Sequence, residues 1–321
     1  MTRFSPRTRV STYISVWMPT GDETSHGVAG YFTGGNSDAG LLSGIDKITF
    51  PDDTKSTLSA TMTEATYYMA AMANSGVAGY IGGGITSSAY LTRIDKITFP
   101  ADTKSTLSAT LSVAIGTANA MANSGTAGYV GGGHDGTIFR SHIDKITFSS
   151  ESRSTLSATL TSARNSVAGM ANSGTAGYFG GGQGSLLSGI DKITFPDDTK
   201  STLSATLTTA RYGAGGMADS GVAGYFGGGD DSGGHVSGID KITFPTDTKT
   251  TLSATLTLGV GFPAGMANSG VAGYIGGGSD SGGKTSRIDK ITFPADTKST
   301  LSATLTSGRT SLGAMADSGT L

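Results

Sequence analysis

The chain has 321 residues, with 22 Lys+Arg against 24 Asp+Glu, a formal net charge of -2, no Cys, one Trp and 51 Gly. Glycine at that frequency, at a cost of about 1 kcal/mol per helical site relative to Ala, excludes a long-helix bundle or coiled coil. The missing Cys excludes a disulfide scaffold, a thiolate zinc site and a cysteine nucleophile, and the charge lacks the footprint of a nucleic-acid binder.

Residues 1–25 stand apart from the rest of the chain. They carry Arg3, Arg7 and Arg9, then Val10, Tyr13, Ile14, Val16, Trp17 and Met18 in a stretch broken by Ser and Thr. A secretory signal needs a cleaner apolar core, and no run anywhere reaches the roughly 18 apolar residues of a membrane span. The stretch is apolar enough to pack on a partner. It predicts an assembly arm built on Tyr13, Ile14, Trp17 and Met18, with no membrane insertion.

Residues 26–321 are repetitive, with a period of about 49 residues. IDKITF begins at Ile45, Ile94, Ile143, Ile190, Ile239 and Ile288, and LSAT at Leu58, Leu107, Leu156, Leu203, Leu252 and Leu301. The aromatic of AGY is Tyr31, Tyr80, Tyr129, Tyr178, Tyr225 or Tyr274. Met-Ala-(Asn/Asp)-Ser-Gly begins at Met72, Met121, Met170, Met217, Met266 and Met315.

Within one copy, AGYFGGG reads as a strand stopped by its glycines, and GIDKITFP as a β-prone strand closed by Pro196. PDDTKS reads as a turn, STLSATLT as an alternating strand with Leu203, Ala205 and Leu207 on one face, and GAGGMADSG as a small-sided strand for the crowded axis. Four strands per period, six periods and no helical segment predict an all-β fold. It is a six-bladed β-propeller with four antiparallel strands per blade. The first copy lacks its MANSG strand and the last has one to spare. The final inner strand, Gly313 to Ser318, is therefore expected to complete the first blade and close the ring.

Arg164, a small inner strand, Tyr178-Phe179 before the glycines, an IDKITFP strand and a polar outer strand ending at Arg211 together resemble the kelch motif. The resemblance covers roughly residues 25–321, without the tryptophan usual late in that repeat. It implies a kelch-type propeller and no single activity, because that fold hosts enzymes and binding proteins alike.

The two ends of each copy differ in character. The Asn-Ser-Gly and Pro-Asp-Asp-Thr-Lys turns are nearly uniform, and their Asp and Lys, such as Asp53 with Lys55, read as turn formers with solvated charges worth little individually. The loops after the glycines and the segments before the inner strands vary in every copy. Recognition concentrates on loops held by a rigid scaffold, so the varied face is the expected binding face. Its candidate residues are Tyr68, Tyr90, Phe139, Arg140, Arg164, Arg211, Tyr212, Phe262 and Arg309. Drift after duplication is the bland alternative.

Catalytic signals are thin. His134, Asp135 and His142 bracket one loop, and Asp230-Asp231 and Asp280 sit in acidic loops, but solvated histidines and Asx turns account for them. No cofactor, metal or catalytic residue is expected. The reading is a non-enzymatic binding or structural propeller on a larger assembly, resembling those on bacteriophage particles. Its partners would be virion subunits through the arm, with a host-surface glycan or protein on the varied face. The alternative is a bacterial kelch-type lectin or adhesin, in the cytoplasm or at the cell surface, binding glycans through that face.

Overall fold

The computed structural model describes residues 29–318, so Tyr13, Ile14, Trp17 and Met18 lie outside the described residues. Everything described is strand, turn and loop, and among the described residues no helix is long and apolar enough to cross a membrane. Among the described residues the strands form six four-stranded antiparallel sheets, with two small hairpin sheets and one small three-stranded sheet besides. This architecture is consistent with a β-propeller.

The fourth sheet shows the plan. Its inner strand Ala168–Asn172 pairs with Ala176–Gly180, which pairs with Ile190–Thr194, which pairs with the outer strand Thr199–Thr202. The first sheet draws its inner strand from the far end of the chain. Gly313–Asp317 pairs with Ala29–Thr33 in the register Ala29↔Asp317 and Thr33↔Gly313. Each inner strand also lies against the inner strand of the next sheet, and Gly313–Asp317 touches both Ala264–Asn268 and Ala70–Asn74.

One expectation is corrected. The outer strand is the TKST segment, not STLSATLT, and LSAT lies beyond the ladder. The turn after Pro196 is tight, with Asp198 at φ 56°, so pairing resumes at Thr199. After Thr202 the chain leaves the ladder, and Leu207 is buried with Tyr178, Ile190 and Phe226.

The core lies between sheets. In every repeat the tyrosine stacks on the phenylalanine of the next sheet's IDKITF strand, as in Tyr178 on Phe244 at 5.3 Å and Tyr274 on Phe50 at 4.8 Å. Offset stacks at this spacing add to the apolar area removed from water.

The glycine before each tyrosine has a packing role that composition did not reveal. A Cβ on Gly177 would fall 2.0 Å from the sulfur of Met121, and one on Gly30 2.3 Å from that of Met266. Each inner-strand methionine therefore lies over the bare glycine of the next sheet. Gly177→Ala is expected to lower stability by about 1–3 kcal/mol through overpacking. Gly189→Ala, whose Cβ meets nothing within 4 Å, should stay within about 0.5 kcal/mol. Thermal unfolding of the two variants side by side checks this, and equal midpoints would refute the methionine contact as the cause.

Candidate functional site

The segments before the inner strands meet at one end of the axis. There the main chain makes a cycle of hydrogen bonds, one per repeat. Thr117 N–H donates to Tyr68 O, Ser166 to Thr117, Gly213 to Ser166, Phe262 to Gly213, Ser311 to Phe262, and Tyr68 to Ser311, all between 2.7 and 3.0 Å. All six residues have positive φ, from 50° at Ser166 to 62° at Gly213. Only one of them is glycine. Holding Tyr, Thr, Ser and Phe in the left-handed region costs energy, and residues held this way concentrate where a surface must be fixed in advance.

The cycle carries two kinds of side chain. Tyr68 and Phe262 bring rings, and Thr117, Ser166 and Ser311 bring hydroxyls. Tyr67 packs on Tyr68 at 4.8 Å, Tyr68 meets Phe262 edge-on at 5.4 Å, and Phe262 meets Tyr212 edge-on at 5.6 Å. The four rings form one half-exposed arc across the second, sixth and fifth repeats. Burial pushes the Tyr68 phenol upward, reinforced by Tyr67, Tyr212 and Asp230 against a hydrogen bond with Ser311. Burial and then Asp230 do the same for Tyr212. At the end of the arc, His235 Nδ1 lies 2.5 Å from Asp230 Oδ1.

Thus the rings of Tyr68, Tyr212 and Phe262 come together in one cluster, and Tyr67 packs with them. Tyr90 and Phe139 do not join it. They flank His134, at 6.0 and 5.3 Å between ring centroids, and staple two neighbouring loops. Arg140 donates from Nε to Asp135 at 2.8 Å within its own loop. Asp135 in turn accepts from the amides of Ile138 and Thr137, which hold its carboxyl far below the usual range, with Arg140 adding to the effect.

Arg164, Arg211 and Arg309 are corrected outright. Each is 2% exposed and paired with a buried aspartate of the third strand, Asp191, Asp240 and Asp46, at 2.8 to 2.9 Å. Their guanidinium groups also donate to the main-chain oxygens of Phe179, Phe226 and Phe32. These arginines anchor the base of the varied segments and cannot reach a ligand.

The six repeats obey a rule here. Where the segment before the inner strand supplies Arg164, Arg211 or Arg309, the residue two before the buried aspartate is Gly189, Gly238 or Gly44. Where that segment has Thr66, Ile115 or Val260, the same place holds Arg93, His142 or Arg287. Arg93 Nε lies 3.5 Å from Asp95, and Arg287 Nε 3.8 Å from Asp289. A buried carboxylate needs a cation or strong donors nearby. Five repeats place an arginine at one of the two positions, whereas burial lowers the His142 pKa and Asp144 instead accepts from Ser112 and Thr155.

The uniform face is a set of inter-sheet clasps. Asp198 accepts from the Tyr129 hydroxyl at 2.7 Å and pairs with Lys145 at 2.6 Å, both from the neighbouring sheet. Asp53 does the same with Tyr274 and Lys290 across the meeting of the last and first sheets. In the one irregular turn Glu151 substitutes, receiving Lys96 at 2.5 Å and Tyr80 at 3.4 Å. Burial and Glu151 push the Tyr80 phenol up to about 12. The expectation of weak, solvated charges is therefore overturned for these aspartates. Their repetition is explained by packing between sheets.

Nearer the axis on this face, Ser124 N–H donates to Ser173 Oγ, and Gly174 N–H to Asn123 Oδ1. Equivalent bonds link the Asn-Ser-Gly turns of other adjacent sheets. They surround an axial funnel of about 620 Å³ lined by alanine methyls and serine hydroxyls, with no titratable side chain among its lining. Among the described residues, no group of three or more His, Cys, Asp or Glu is placed to hold a metal ion. The acidic loops make Asx turns, with Gly233 N–H on Asp231 at 2.7 Å and Gly282 N–H on Asp280 at 2.8 Å.

The fold and the aromatic face define a repeat-built β scaffold that fixes an asymmetric surface on one end of an axis. Comparison with protein-family models and with curated proteins finds no match to this chain.

Proposed function

We propose that the six sheets are the blades of a closed, kelch-like six-bladed propeller, and that the protein is a non-enzymatic recognition module displayed on a larger assembly. One observation carries the reading: the arc of Tyr67, Tyr68, Phe262 and Tyr212 stands on a main-chain cycle whose residues are held in a costly conformation. Half-exposed aromatic rings on a pre-organised base are efficient binding anchors, because little freedom is lost when a partner arrives. Closure is supported by three chain-wide cycles, in the axial hydrogen bonds, the methionine–glycine contacts and the tyrosine–aspartate clasps.

The assembly is a virion, where residues 1–25 would engage other subunits and the aromatic face would meet the host surface. This placement rests on the resemblance of tandem kelch-like repeats with a short apolar arm to propellers on phage particles. Particles carrying Phe262→Ala should contain the protein in normal amount and adsorb to host cells about tenfold more slowly, as expected for loss of one anchor worth more than about 1 kcal/mol. Unaltered adsorption would overturn recognition through this face, and absence of the chain from purified particles would overturn the placement.

A further inference from the structure

The aromatic arc borders a small axial cavity of about 50 Å³, and the composition of its wall is selective. Tyr68 and Phe262 give it apolar faces and Thr117, Ser166 and Ser311 give it hydroxyls, while the Asn119 amide in its wall is engaged with the main chain of Val167 and Ala120. None of the residues lining it carries a formal charge. Each main-chain N–H of the cycle already donates to the next carbonyl, so no open strand edge is offered to an extended peptide. Without a cation in the wall, a phosphate, a carboxylate or a nucleic-acid backbone has nothing to neutralise it.

From these features we infer that the axial site takes a neutral pyranose, the terminal residue of a glycan. Such a ring has apolar C–H faces that lie against aromatic rings and a rim of hydroxyls that pair with Ser and Thr. It is the ligand class whose two faces match the two halves of this cycle. The cavity is too small for a whole sugar, so an exocyclic hydroxymethyl or methyl group would enter it while the ring lies on the arc. The inference rests on the recognition reading above and specifies its ligand.

The test is saturation-transfer NMR on the full chain. The probes are the methyl glycosides of glucose, galactose, mannose, N-acetylglucosamine and fucose, with N-acetylneuraminic acid as the anionic comparison. At least one neutral glycoside should bind with millimolar affinity, and the anionic sugar should not. Binding should weaken about tenfold in Phe262→Ala and in Tyr212→Ala, the loss of one anchor each, and stay unchanged in Tyr90→Ala, with unaltered thermal midpoints. Tyr212→Ala serves as the second variant because its backbone lies outside the left-handed set. Thr117→Val should weaken binding through the hydroxyl half alone. If no neutral glycoside binds while particle adsorption still depends on Phe262, the sugar assignment is wrong and recognition stands. If a glycoside binds equally to the Phe262 and Tyr212 variants, its site is elsewhere and the assignment again fails. If neither binding nor adsorption responds to Phe262→Ala, both readings fall.

Discussion

Arg211→Val is expected to destabilise the protein by about 3–5 kcal/mol, the usual penalty for removing one partner of a buried ion pair. Asp240 is 1% exposed, and its Oδ2 takes the guanidinium at 2.9 Å. Lys249 at 3.3 Å and the hydroxyls of Thr208 and Thr251 would remain, which sets the loss nearer the low end. The repeats themselves offer a rescue. Val260 and Arg287 in the sixth repeat show the alternative arrangement, so adding Gly238→Arg to Arg211→Val should restore most of the stability. The backbone at Gly238 is free of positive φ, and the nearest atoms to a Cβ there are Val236 Cγ1 at 3.7 Å and the Arg211 guanidinium itself. Thermal and denaturant unfolding of the single and double variants decides the matter. A double variant no more stable than Arg211→Val would show that the two positions do not exchange the cation.

Acid should unfold the protein as the pH falls below about 4, where aspartates ordinarily titrate. Burial alone would raise the carboxyl of Asp46, but the hydroxyl and amide of Thr306, with Arg309 and Thr57, outweigh it and hold the group below its ordinary range. Asp95, Asp191 and Asp240 follow the same pattern, with burial again opposed by threonine donors and a cation. A group whose folded pKa is depressed contributes stability that is present above its unfolded pKa and lost as pH falls through the folded one. The contribution is therefore complete from about pH 5 upward and is lost progressively as the pH falls from about 4 through the lower folded-state values. Four such groups, each tying a third strand to a varied segment, should fail within one cooperative transition. Circular dichroism against pH tests this. Retention of native signal and of the thermal midpoint at pH 2 would contradict the assignment.

Much of the fold was legible because it is written six times. The inner strands, the AGY strands and the IDKIT strands fall where the repeated segments place them, and Gly313–Asp317 completes the first sheet as the missing and surplus strands require. The outer strand was misplaced because LSATLT alternates like a strand. Its register depends on where a tight turn lets pairing resume, which no alternation pattern encodes. Of the candidate site, Tyr68, Tyr212 and Phe262 were legible as aromatics in varied segments. Tyr67 carries the same signal beside Tyr68, and only the ring contact shows that it belongs to the arc.

The three arginines misled because a charged residue in a varied segment reads as surface. Their aspartates lie in the uniform third strand of the sheet that each segment leads into, 27 and 29 positions away for Arg164 and Arg211 and 263 for Arg309. A signal was nevertheless present. Arginine in one place alternates with glycine in another across the copies, and such exchange within a repeat array marks a contact.

By itself the sequence determined the period, the strand content, the closure of the first sheet by the last segment and which face varies. Those properties follow from local preference and repetition, and every copy states them independently. Tertiary structure alone decided which varied residues are surface and which are buried anchors. It also fixed the methionines over bare glycines, the aspartates of the uniform turns as clasps, and an aromatic arc drawn from three repeats. The physical reason is that the methionine, aspartate and aromatic contacts join residues about 50 or more positions apart across different repeats, while the Arg164 and Arg211 pairs span 27 and 29 positions within one repeat. Their energies depend on burial and approach distance, which local preference does not encode.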